Sequence, residues 1–202
     1  MEIWISQEAV GTAIAMCYRN RSDNETGGVW VGPKEHKGVI TDLIPSTAFA
    51  ETSPVTYFQT ARDVNILNNK LREFQKQGLD FKGYYHKHPS GMHSLSTGDK
   101  NTCWEILESP NYKINNYLVM SIITESRVQD FPLFTYVTSL IKGRKVSVKA
   151  VQYGILPRNV LMKFTLHLED HNKETEHENH DSRQDCRPTE NDDPSRPLRS
   201  DE

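Results

Sequence analysis

The chain has 202 residues, 36% hydrophobic and 25% charged, which fits one globular domain with room for a tail. That length buries a core without disulfide staples, and no stretch approaches the ~20 apolar residues that span a bilayer. The net charge of −3 conceals an asymmetry: residues 167–202 hold 12 acidic and 5 basic side chains, leaving 15 acidic and 19 basic in the body. This mild basic excess suits an acidic protein partner but lacks the clustered Lys/Arg of a nucleic-acid surface.

The amino terminus has no basic start followed by an unbroken apolar run, so it does not read as a signal peptide. Cys17, Cys103 and Cys186 are far apart, odd in number and in no C-x-x-C spacing. They are expected to be free thiols in a reducing compartment, with the cytoplasm as the default location.

Residues 1–5 form a short strand candidate. Ser6 then offers an N-cap for a helix running to about Arg21, with Ala9, Val10, Ala13, Ile14 and Cys17 on one face. Residues 26–31 and 38–44 look like paired strands across the polar turn 32–37. Thr60 and Asp63 make a capping box for a helix with Ala61, Val64, Leu67, Leu71 and Phe74 at helical spacing, ending at Gly78. Residues 81–88 are strand-like, and a helix after Ser96 should turn Cys103, Trp104 and Leu107 inward. The apolar run 117–124 fits a strand buried on both faces, and 131–141 and 145–156 supply further strands across a basic turn at Lys142-Gly143-Arg144-Lys145. This order predicts an α+β domain over 1–166, with a central mixed β-sheet flanked by helices in α/β/α-like layers. Residues 167–202 carry too little apolar surface to offset their ordering entropy and are expected to be a disordered acidic tail. Its histidines, His167, His171, His177 and His180, are better explained as part of a solvated tail than as a metal-binding tract.

The chemistry concentrates between residues 83 and 99. His86 and His88 are two apart on a strand, so both imidazoles project from one face. Pro89 ends the ladder directly afterwards, which places the pair at a strand terminus where a site can be open. A loop over 90–95 can fold back so that Asp99, opening the next helix, supplies a third ligand. Two imidazoles and one carboxylate leave a coordination position for water, as catalytic zinc requires. Each half has a plainer explanation, since Ser96-x-x-Asp99 alone is a capping box and His-x-His alone is commonly a surface strand feature. Together, His-x-His-Pro-x₆-Ser-x₂-Asp arises by chance on the order of once in 100,000 chains of this length, which decides for a site.

That string resembles the signature of the JAMM/MPN+ (JAB domain) zinc metallopeptidases, in element order over about residues 1–150. The family's upstream glutamate is matched by Glu25 in Glu25-Thr26-Gly27-Gly28, at the start of a strand after the first helix. The resemblance implies an MPN/JAB fold with cytidine-deaminase-like layering. It also implies one Zn²⁺ held by His86, His88 and Asp99, Glu25 as general base, and Ser96 bonded to the oxyanion. It further implies cleavage after the carboxy-terminal glycine of a ubiquitin-like modifier. The small size and the Glu-Thr-Gly-Gly form look most like the prokaryotic branch, often paired with ubiquitin-like proteins and their activating and conjugating enzymes. Strand 26–31 is then expected to pair with an extended substrate terminus, with Gly27 and Gly28 small enough for close approach. His93, in the intervening loop, is expected to be exposed and not a ligand. The alternative is a non-catalytic MPN scaffold, but scaffold members usually lack ligand residues and none is missing here. A zinc nucleoside deaminase would need a Pro-Cys-x-x-Cys pair, which this chain lacks.

Overall fold

The structure, a computed structural model, describes residues 1–19, 24–110, 112, 114, 116–124, 133–141 and 145–157. The tail with its histidines and Cys186, the turn at 142–144, Arg21, and residues 131 and 158–166 lie outside the described residues; the helix expected to reach about Arg21 already ends at Tyr18, with Arg19 as its C-cap.

Strand β1 (Ile3–Ser6) passes directly into helix α1 (Gln7–Tyr18) because Ser6 serves both. Its Oγ accepts the Ala9 N–H at 3.1 Å and donates to the Thr41 carbonyl at 2.7 Å. Helix α1 buries Ala9, Val10, Ala13 and Cys17, with Ile14 packed at the edge. Then follow β2 (Gly27–Pro33), β3 (Val39–Ile40), β4 (Asp42–Pro45), β5 (Glu51–Ser53), β6 (Thr56–Phe58) and α2 (Ala61–Lys76). The remainder is β7 (Leu79–Lys87), α3 (Thr97–Glu108), β8 (Tyr117–Ile123), β9 (Leu133–Ile141), β10 (Lys145–Val151) and β11 (Tyr153–Leu156).

Six strands form a mixed sheet in the order β10-β9-β8-β7-β2-β4, in which only β7 and β8 run parallel. A second sheet, β11-β1-β3, is parallel throughout, and β5 and β6 make a separate hairpin. Alternation along β8 sorts the core: Val119 and Ile123 face α1 and the small sheet, whereas Leu118, Met120 and Ile122 face α3. Val29 and Val31, opposite Trp30 on β2, pack with Leu67 of α2. The fold is α+β, with helices on both faces of the larger sheet.

Several local expectations change. The single strand expected over 38–44 divides at Thr41, whose N–H bonds to Val31 at 3.0 Å, so the chain leaves β1's sheet for β2's. The strand expected over 145–156 divides at Gln152, β10 joining β9 and β11 joining β1. In α3 it is Cys103 and Ile106, three apart, that are buried, while Trp104 stands one position off that stripe and is half-buried. The capping box at α2 is half made: Thr60 Oγ accepts the Asp63 N–H at 3.2 Å, but the Asp63 carboxylate goes to the loop before β5.

One irregularity sets up the site. Trp30 pairs with Gly83 and Val31 with Phe81, so Lys82 is an unpaired bulge in β7. Gly83 takes φ +150°, and a Cβ there would stand 1.8 Å from the Val119 carbonyl, so only glycine fits. Lys82 Nζ donates to the carbonyls of Pro33 at 2.7 Å and His36 at 3.1 Å, holding the β2–β3 turn. Its burial lowers the ammonium pKa to about 8, against the opposing pull of Asp80 and Glu35. The extra residue also shifts the strand's phase. Phe81 and Tyr84 consequently share the α2/α3 face, and His86 and His88 follow on that same face.

Candidate metal centre

His86 and His88 stand at the carboxy-terminal end of β7, where the parallel β7–β8 pair opens. Ligand sites in open sheets gather at such strand ends. The His88 N–H still bonds to Ile123 at 2.9 Å, and the loop over 89–96 then turns back to α3. Thr124 Oγ1 donates to the Pro89 carbonyl at 2.9 Å, fixing the start of that turn. Ser96 caps α3 with a complete box: its Oγ accepts the Asp99 N–H at 3.1 Å, and its own N–H donates to Asp99 Oδ2 at 2.6 Å. The plain reading of Ser96-x-x-Asp99 is therefore true, and it serves the site, because the cap aims the carboxylate at the imidazoles.

Asp99 Oδ1 lies 3.2 Å from His86 Nε2, and Asp99 Oδ2 lies 3.4 Å from His88 Nε2. The two Nε2 atoms are 2.7 Å apart, and the three ligand atoms all fall within 4.8 Å of one another. Bonds of ~2.0–2.1 Å in a tetrahedron separate neighbouring ligand atoms by about 3.3 Å; each imidazole stands near that distance from one carboxylate oxygen, and the two Nε2 atoms would move apart to admit an ion. The cluster can hold a metal ion. Its donor set, two imidazoles and one carboxylate, suits catalytic zinc and also non-haem Fe(II). His88 Nδ1 donates to the Met92 carbonyl at 3.2 Å, which leaves Nε2 as the lone-pair nitrogen of a neutral ring.

The electrostatics describe a tight cluster. Burial alone would raise the Asp99 pKa, but hydrogen bonds from His86, His88 and Ser96, with the His86 charge, hold it well below the usual carboxylate range. Burial disfavours a charged His88, yet Asp99, Glu25 and the Met92 carbonyl outweigh it and raise its pKa. A divalent ion would reverse that preference and favour neutral imidazoles.

Glu25 is buried beside this group. Desolvation raises its pKa, the two histidines oppose the rise and Asp99 reinforces it. Its N–H donates to the Ser53 carbonyl of β5 at 2.7 Å, and the next residue, Thr26, accepts the Lys87 N–H of β7 at 2.7 Å. Glu25 is thus clamped between the ligand strand and the β5–β6 hairpin. Asn24 adds a side-chain bond to the Thr52 carbonyl at 3.3 Å.

All five residues singled out from the sequence meet here, with Ser96 as helix cap and Glu25 as the buried acid. His93 is exposed; its ring stacks on Phe134 at 4.9 Å and its carbonyl accepts from the Tyr136 hydroxyl. Unanticipated is Tyr57 of β6, whose ring lies 6.4 Å from His86 at an interplanar angle of 22°. The Pro54-Val55 turn flanked by Thr and aromatic residues carries the hairpin's signal in the sequence.

Substrate pairing along β2 does not survive. Residues 28–31 are bonded to β4 on one side and β7 on the other, and the Gly27 carbonyl accepts the Ser46 N–H at 2.9 Å. Gly27 and Gly28 are small for their neighbours: added Cβ atoms would lie 2.2 Å from the Tyr85 carbonyl and 2.3 Å from the Ile44 carbonyl. They admit adjacent strands, leaving no room for a ligand backbone.

No family model matches the chain, and no curated protein does. Among solved structures it is similar to protein DSY2949 from Desulfitobacterium hafniense, 16% identical over 79% of this chain and 97% of that chain, with a TM-score of 0.54. A protein from Salinibacter ruber is 15% identical over 76% of this chain and 92% of that chain, with a TM-score of 0.47. At this identity the first likeness speaks to the mixed α+β fold alone.

Proposed function

We propose that the chain is a zinc-dependent isopeptidase or processing peptidase of the JAMM/MPN+ type, with the MPN/JAB fold. Its substrate in this reading is the carboxy-terminal glycine linkage of a ubiquitin-like protein, with the associated activating and conjugating enzymes as further partners. The observation that carries the reading is the convergence of His86, His88 and Asp99 with a buried carboxylate, Glu25, beside them. In this reading the setting is cytoplasmic, which the buried free thiols Cys17 and Cys103 support; among the described residues no helix is long and apolar enough to cross a membrane.

His86, His88 and Asp99 would hold the zinc, which when bound lowers the pKa of its water towards ~7 and polarises a carbonyl. Glu25 accepts the water proton at its carboxylate and returns it to the departing amine. Desolvation of Glu25 brings its affinity for that proton closer to neutrality, which suits a group that must both take and give. Ser96 Oγ accepts the Asp99 N–H, and its hydroxyl, which also bonds the Asp99 carboxylate, would turn to the developing oxyanion as charge builds there. The Met92 carbonyl keeps the His88 ring in register throughout. Since β2 is an interior strand, an extended substrate terminus would add to another edge. The edge of β6 lies beside the site through Tyr57, with Val55 and Phe58 exposed around it.

Incubation with a panel of ubiquitin-like proteins fused through a terminal Gly-Gly to a reporter amine tests this reading. Cleavage after the glycine, abolished by a zinc chelator and restored by added zinc, is the expected result. Zinc-loaded protein that binds a modifier but cleaves no fusion would favour the scaffold reading.

A further inference from the structure

We propose that Asp63, 0% exposed and remote in sequence from every site residue, is a positioning residue that holds the β5–β6 hairpin against Glu25 and His86. The functional part of this inference rests on the peptidase reading; the structural part stands without it. As the third residue of α2, Asp63 would normally turn its carboxylate back onto the helix cap, as Asp99 does in α3. Instead Oδ1 accepts the Thr47 N–H at 2.8 Å and Oδ2 accepts the Ser46 hydroxyl at 3.2 Å. A buried carboxylate is retained only where such donors replace water.

These bonds fasten the entry of the segment that carries the hairpin. Its exit is fastened by Thr60, whose hydroxyl donates to the Phe49 carbonyl at 2.8 Å while capping α2. Arg62, in the first turn of α2, lies 3.5 Å over the Phe49 ring. Within the fastened segment two groups reach the site. Ser53 of β5 accepts the Glu25 N–H, and Tyr57 of β6 sets its ring beside His86. The Tyr57 hydroxyl contacts Ser46 and accepts from Gln59 Nε2 at 3.1 Å, closing the chain of contacts from Asp63 to the His86 ring. The hairpin is short and much of it is exposed, so its own strand pairing is weak support. The buried carboxylate supplies what the hairpin lacks.

Amide hydrogen exchange reads the effect at the residue concerned. In Asp63→Ala the Glu25 amide should exchange at least about tenfold faster, while amides of Val119 and Ile122 in β8 stay protected as in the unaltered chain. Asp63→Asn, which keeps an acceptor for Thr47 and a polar partner for Ser46, should restore the slow rate. If Asp63→Ala does not fold, Ser46→Ala decides, with a smaller acceleration at Glu25 expected. On an active substrate, kcat/KM for Asp63→Ala should fall about tenfold, with zinc content unchanged. Unchanged Glu25 exchange in the folded variants, or acceleration shared equally by β8, would overturn the proposal. If no substrate is turned over by the unaltered chain, the peptidase reading fails while the exchange result still scores the clasp.

Discussion

Glu25→Gln is expected to retain one zinc per chain, melt at the same temperature as the unaltered protein, and lose hydrolysis by about 10³-fold in kcat. The substitution keeps the side chain's size and leaves untouched the backbone bond from residue 25 to Ser53, so the acid's frame is preserved. What it removes is a base able to take a proton from water and deliver it to an amine. Glu25 is not one of the three converging ligand atoms, which is why metal content should not change. Zinc analysis beside single-turnover rates checks both halves. Turnover within a few-fold of the unaltered chain would remove Glu25 from the mechanism.

The second large effect separates the two jobs of Asp99. In Asp99→Asn the amide oxygen can still accept the Ser96 N–H, so the cap on α3 persists, and the stability lost by the metal-free protein reflects the missing carboxylate contacts with His86 and His88. The anionic ligand facing His86 and His88 is gone, however, and zinc should be lost with activity. Asp99→Ala should lose zinc as well, and additionally destabilise the helix start by about 1 kcal/mol. Equilibrium zinc titration with thermal melts of the metal-free proteins distinguishes these outcomes. An Asn variant that binds zinc as tightly as the unaltered chain would mean that Asp99 is a helix cap and nothing more.

Much of this site could be read before any coordinates. Metal ligation demands particular residue types at particular strand and helix positions, and His86, His88, Ser96 and Asp99 sit within fourteen residues in a spacing that local geometry governs. Glu25 was different: alone it is an acid beside a Gly-Gly pair, and only the resemblance marked it. What escaped depends on nonlocal contacts. The strands β5 and β6 have three residues each, too few for a period to show. The division of 38–44 rests on where one N–H, that of Thr41, finds its acceptor. The bulge at Lys82, next to Gly83, fixes which face the histidines take, and nothing in the sequence reading anticipates it, although an isolated glycine in a strand is its local signal. Gly27 and Gly28 misled because they adjoin the chemistry, yet their size answers to neighbouring carbonyls.

Diffraction from crystals of the zinc-supplemented protein, with data collected on both sides of the zinc absorption edge, tests the central claim most directly. The account predicts one anomalous peak bonded to His86 Nε2, His88 Nε2 and an Asp99 carboxylate oxygen at ~2.0–2.2 Å, with the Glu25 carboxylate facing its open side. A zinc peak elsewhere, with these three side chains still bonded only to one another, would contradict it.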